Sequence, residues 1–176
     1  GLGVVIDGRI FRGGRGLGAE FGHTKVQIDG ALCRCGQRGC LEAYVADFAL
    51  LREAGAALTG DVSALGASEL LDQLAVEALE GIEIPASIYR RAGRMLGLGL
   101  ANLINLFDPA LIVLAGERIR NHQLLETEIE KTLKANAISV DRLQTPITVH
   151  RWGDGLWARG AGALALDGLM EMATDR

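Results

Sequence analysis

Cys33, Cys35 and Cys40 lie within eight residues, and His23 stands ten residues before the first of them. One imidazole and three thiols are four soft or borderline ligands, and a Cys3His set is a common tetrahedral zinc site. Gly36 and Gly39 fall between the cysteines, where glycine lets the backbone turn back and bring the thiolates to one ion. Four protein ligands leave no open coordination position, so the expected zinc is structural and not hydrolytic. Three cysteines in so short a span make a poor disulfide framework and a good metal cluster, which suggests a reducing compartment. No Cys-x-x-Cys spacing is present, which argues against a redox pair. The competing reading, three buried cysteines and an unrelated histidine, needs every cysteine of the chain to cluster by accident.

Two carboxylates flank this set. Glu20 precedes His23 by three residues and Glu42 follows Cys40 by two. A metal-pinned loop would hold both rigidly, and fixed carboxylates accept hydrogen bonds from the hydroxyls of a neutral sugar. The other reading makes them surface charges, with Glu42 in the first turn of the next helix. Residue chemistry alone leaves these two readings level. His122 and His150 carry no metal spacing and read as surface or edge residues. Arg90 and Arg91 read as a solvated helix face. Trp152 and Trp157 read as core or subunit packing.

The elements that must position these groups follow from pattern. Val4–Asp7 and Arg9–Arg12 read as a hairpin through Asp7-Gly8, and residues 24–28 as a third strand. The apolar spacing of Leu41, Tyr44, Val45, Phe48 and Leu51 predicts one helix over 41–57. Ser68 is the expected N-cap of a helix over 69–79, and Pro85 fits the first turn of a helix reaching Phe107. That helix carries Gly93, Gly97 and Gly99, each costing about 1 kcal/mol of propensity, so another element is expected to pack very close. Asp108-Pro109 should stop it. Residues 111–114 read as a buried parallel strand, followed by a helix over 122–135, a strand over 147–150 and a helix over 156–172. The order predicts an α/β chain.

The 176 residues carry 18 basic and 22 acidic side chains, a net charge of −4, with 49% hydrophobic residues. That suits one globular domain with a sizeable core. An acidic chain is a poor binder of nucleic acid by itself. The longest apolar region, 95–107, is interrupted by Asn102 and Asn105 and is shorter than the roughly 20 residues a membrane span needs. No basic segment followed by an apolar stretch reads as a signal peptide. The opening Gly1-Leu-Gly-Val reads as the middle of a glycine-rich turn, so further chain is expected upstream.

The run Gly18-x-Glu20-x-Gly22-His23, followed by Cys33-x-Cys35-Gly36-x-x-Gly39-Cys40-x-Glu42, resembles the signature of the ROK family of repressors, open reading frames and kinases. Asn102-x-x-Asn105-x-Phe107-Asp108-Pro109 and the apolar strand into Ala115-Gly116 extend the likeness over nearly the whole chain. The resemblance implies the C-terminal lobe of the actin-like, ribonuclease-H-like sugar kinase fold with an inserted zinc loop. It implies that residues 1–176 are a sugar-binding C-terminal domain, with the N-terminal half and any DNA-binding domain lying outside the chain. It makes His23, Cys33, Cys35 and Cys40 zinc ligands and Glu20, His23 and Glu42 sugar contacts. His23 would give one ring nitrogen to the metal and the other to a hydroxyl.

Family kinases use an aspartate base and a glycine-rich phosphate loop that belong before Gly1, so no catalytic residue is expected here. The phosphate turn that begins at Gly1 is partial. Where kinases carry two consecutive glycines after the apolar strand, this chain reads Ala115-Gly116-Glu117, which puts an anion where a nucleotide's phosphates would lie. The resemblance therefore favours the sugar-sensing part of a cytoplasmic transcriptional regulator, which meets DNA through another segment and assembles as a homodimer or homotetramer. The alternative is half of an ATP- and magnesium-dependent sugar kinase. A third reading, a zinc-stabilised scaffold without a ligand, leaves Glu20 and Glu42 unexplained.

Overall fold

The computed structural model describes residues 1–58, 64–116, 121–138, 145–151 and 155–174. Glu117 and Trp152 lie outside them. The chain is mixed α/β and divides into two compact units, one of residues 1–109 with 121–145 and one of residues 110–120 with 146–176.

The first unit opens with the expected hairpin. Strands β1 (Val5–Ile6) and β2 (Arg9–Ile10) pair antiparallel. Asp7 and Gly8 take φ 51° and 75°, the left-handed pair that a two-residue hairpin turn requires. The strand expected over 24–28 is absent. Only Lys25 bridges to Cys40, because the cysteine loop turns too tightly to offer a longer partner.

The single helix expected over 41–57 is two. Ala46 is extended (φ −79°, ψ 157°) between α1 (Glu42–Val45) and α2 (Asp47–Ala57). The break orphans α1's last carbonyls, and Arg52 on α2 donates to one of them, Ala43 O, at 3.1 Å. Helix α3 (Ala67–Leu79) begins earlier than expected. Its cap is Gly66, not Ser68, because Glu69 at the third helical position reaches back to accept the Gly66 N–H at 2.8 Å.

Helix α4 (Glu83–Phe107) ends where Asp108 turns left-handed (φ 42°) before Pro109. Leu50, Ala54, Leu71, Leu74, Ile88 and Tyr89 form the apolar core shared by α2, α3 and α4. The glycines of α4 admit the close neighbours that the sequence called for. A Cβ on Gly93 would lie 2.8 Å from Leu125 O, and one on Gly97 2.9 Å from Ile129 O. Both atoms belong to α5 (Gln123–Asn136). Arg90 keeps to the helix's own exposed surface, pairing with Glu83 of the same α4. Arg91 is not part of a free solvated face: it pairs with Glu53 on α2, and Arg94 pairs with Glu128 on α5 at 3.3 Å, so these two arginines tie α4 to its neighbours.

The second unit pairs β3 (Ile112–Ala115) with β4 (Ile147–His150) in parallel and carries α6 (Leu156–Thr174). Parallel pairing agrees with the apolar run. Burial does not, since Val113 is 53% exposed: among the described residues each of these strands has one partner. Trp157 is also exposed and joins no core cluster among the described residues. His150 is an exposed strand-end residue, whereas His122 is half-buried at the start of α5.

No helix among the described residues is long and apolar enough to cross a membrane.

Candidate functional site

Helix α4 is the platform for the cysteine loop. A Cβ on Gly99 would come within 2.9 Å of both Phe21 Cζ and Leu41 Cδ2. Phe21 opens the single helical turn Phe21–His23, and Leu41, 1% exposed, follows Cys40. The bare glycine thus lets the His23 segment and the Cys40–Glu42 segment rest side by side on one helix.

Backbone bonds then close the loop. Leu41 N–H donates to Thr24 O and Val26 N–H to Gly39 O, both at 2.9 Å. Cys33 N–H donates to Gln37 O at 2.8 Å, and Gly36 N–H to Cys33 O at 3.0 Å. Gly36 and Gly39 hold φ 84° and 77°, the left-handed region that glycine adopts without strain. Tyr44 on α1 reaches into the loop. Its hydroxyl accepts the Ala31 N–H at 2.8 Å and donates to Gln27 Oε1 at 3.0 Å.

This framework gathers the four candidate ligands. One donor atom each from His23, Cys33, Cys35 and Cys40 lies within 4.8 Å of the others. Cys35 Sγ stands 3.7 Å from Cys40 Sγ, and Cys33 Sγ 3.7 Å from His23 Nδ1. A tetrahedral zinc with Zn–S of about 2.3 Å and Zn–N of about 2.0 Å spaces its ligand atoms about 3.5–3.8 Å apart. The residue set suits zinc, and these two spacings match it. Burial pushes the Cys33 thiol up to about 11, while the backbone N–H of Gln37 pulls Cys35 below the ordinary thiol range. A divalent cation would reverse the burden on Cys33 by holding its sulfur as the thiolate.

The two carboxylates bracket the same imidazole. Glu20 Oε2 is 3.9 Å from His23 Nε2, and Glu42 Oε2 is 3.7 Å from His23 Nδ1. Glu42 also accepts from the Cys33 thiol at 3.3 Å. Glu20 is 70% exposed and Glu42 35%, so both can meet a ligand. All six residues singled out in the sequence come together.

Three supports escaped the sequence. Ala19 sits at φ 66°, a left-handed conformation that strains an L side chain and fixes the entry to Glu20. Alanine gives no signal of it. Tyr44 reads as one more apolar helix position. Lys25 Nζ donates to Cys40 Sγ at 3.1 Å, and only the bridge between the two residues reveals it. A shallow depression of about 440 Å³ on the loop's flank is lined by Leu32, Cys33, Arg34, Phe48 and Arg52. Glu20, His23 and Glu42 are not in its lining, but it adjoins their site through Cys33.

Comparison with known proteins matches the ROK family over residues 1–168. The xylose repressor of Bacillus subtilis (strain 168) is 25% identical over 99% of this chain and 43% of its own length. The glucokinase of Streptomyces coelicolor is 33% identical over 76% of this chain and 45% of its own. This chain thus spans less than half the length of these curated relatives. Among solved structures, a ROK family glucokinase from Streptomyces griseus in complex with glucose and AMPPNP is 28% identical. It superposes with a TM-score of 0.70 over 87% of this chain and 53% of its own. By its sequence over residues 1–168, and with this likeness of fold, the chain belongs to the ROK family.

Proposed function

We propose that this segment is the sugar-sensing domain of a ROK transcriptional regulator, in which a zinc-pinned loop presents Glu20, His23 and Glu42 to a sugar. The observation that carries the proposal is the double placement of His23. Its Nδ1 faces Cys33 and its Nε2 faces Glu20. Held on the metal side by Nδ1, the ring keeps Nε2 for a hydroxyl beside a carboxylate. Zinc would be bound by His23, Cys33, Cys35 and Cys40 and would supply a rigid, deprotonated ligand set. A carboxylate beside a coordinated thiolate has no donor there, which leaves the Glu42 oxygens for a ligand.

One feature favours a regulator over an enzyme: where the family resemblance gives kinases two consecutive glycines, this chain reads Ala115-Gly116-Glu117. In this reading residues 1–176 are the C-terminal domain of a cytoplasmic protein that assembles as a dimer or tetramer. DNA is met by another segment, since this one carries a net charge of −4. The kinase reading rests on the S. griseus glucokinase structure. It requires ATP, magnesium, and a base and phosphate loop from outside this chain.

Calorimetric titration of the intact protein with xylose, glucose and N-acetylhexosamines tests the proposal. Saturable binding of one of them, lost when zinc is stripped, is the expected result. Failure of the whole panel to bind zinc-loaded protein overturns it.

A further inference from the structure

Lys25 lies outside both the ligand set and the carboxylate pair, yet the fold commits it to the loop's centre. Its backbone bridges Cys40 in an isolated antiparallel pair, held by the Leu41–Thr24 and Val26–Gly39 bonds on either side. Residues directly opposite in such a pair carry their side chains on the same face. The Lys25 ammonium accordingly donates to Cys40 Sγ at 3.1 Å.

Cys40 is the most deeply placed of the ligands, with no exposed surface. A buried thiolate lacks water to solvate its charge. Three thiolates and one neutral imidazole around a dication leave one net negative charge, and Glu42 at 3.3 Å from Cys33 adds another anion. A single ammonium in hydrogen-bond contact with the buried sulfur offsets part of this surplus.

We propose that Lys25 is a positioning residue of the metal centre, whose ammonium compensates the charge of the buried Cys40 thiolate and so tightens the hold on the metal. The inference rests on the zinc reading above. Lys25 is itself exposed, so Lys25→Met removes the charge and keeps the aliphatic stem without disturbing a core.

The test uses the intact protein and its Lys25→Met and Lys25→Arg variants. Zinc affinity is measured by competition with a chromogenic chelator, and the ultraviolet thiolate-to-metal band is recorded after cobalt substitution. Partners outside the ligand set typically change metal affinity by about 10–100-fold. Lys25→Met is expected to bind zinc that much more weakly. Its cobalt band should move to lower energy, because a sulfur without its donor gives up charge more readily. Ligand-field bands should stay tetrahedral, and Lys25→Arg should recover most of the affinity. Equal zinc affinity and an unmoved band in Lys25→Met overturn the role of Lys25 while leaving the metal site standing. A wild-type protein that takes up neither metal overturns the zinc reading and this inference with it. Equal loss of thermal stability by metal-free Lys25→Met and Lys25→Arg shows a merely structural role and also overturns it.

Discussion

Adding the same methyl group to three helical glycines should give three different outcomes. Gly55 lies in α2, and a Cβ there meets nothing within 4 Å. Gly55→Ala therefore gains only helix propensity, up to about 1 kcal/mol. Gly97 gains the same propensity, but its Cβ would stand 2.8 Å from Thr132 Cβ, 2.9 Å from Ile129 O and 3.1 Å from Ile129 Cα. Carbon atoms prefer about 3.5–4.0 Å, and two of these three neighbours are backbone that moves only if all of α5 moves. Overpacking of this kind costs about 1–3 kcal/mol, so the net change is a loss of about 0–2 kcal/mol. For a domain of 176 residues each kcal/mol shifts Tm by about 2–4 °C. Gly99 meets only side-chain ends, Leu41 Cδ2 and Phe21 Cζ, which can rotate aside. Gly99→Ala should be milder in Tm than Gly97→Ala but should displace Phe21, two residues from His23, and so reduce metal retention. Thermal melts of the three variants in the intact protein, with metal analysis of each, decide the matter. A Gly97→Ala protein melting at or above Gly55→Ala would refute the close α4–α5 contact on which this reasoning stands.

Protein purified without added metal should contain about one zinc per chain, and Cys35→Ser should lower both zinc content and Tm; full stability in the metal-free form contradicts a structural zinc. Glu20→Gln and Glu42→Gln should keep fold and zinc but weaken sugar binding by about 1.5–3 kcal/mol, roughly ten- to a hundredfold, as a charged acceptor is lost; unchanged calorimetric affinity in both refutes the clamp. This segment alone should show no ATP-dependent sugar phosphorylation in a coupled assay, and turnover near the low end of about 1–100 s⁻¹ from the intact protein would overturn the regulator reading. Glu128 holds its carboxyl below the usual range, chiefly through the Lys131 hydrogen bond and then through Arg94. A depressed native value means its stabilisation is present above the unfolded carboxylate value and is lost as pH falls through the native one. Glu128→Gln should therefore be less stable than wild type at neutral pH and converge with it in acid; a constant gap across that range contradicts the pairing.

The candidate site was legible because its ingredients are rare and crowded. All three cysteines, a histidine and two glutamates fall within residues 20–42, so short-range chain geometry alone must bring most of them together. The hairpin was legible for a similar reason, since Asp-Gly admits few other turns. Gly93, Gly97 and Gly99 announced a close neighbour without identifying it. Only the fold assigns two of them to α5 and the third to Phe21 and Leu41.

What the residues by themselves determine is local: turn conformations, helix and strand periods, and a ligand set whose chemistry suits zinc. What only the tertiary structure decides is how distant segments share atoms. The break at Ala46, the cap moved to Gly66 and the loss of the third strand each overrode a local preference. In each case the cost of an imperfect local pattern is smaller than that of an unsatisfied backbone group or an unfilled core. The Lys25–Cys40 contact and the strained Ala19 belong to the same class. Neither has a sequence pattern, because each exists only once the loop has closed.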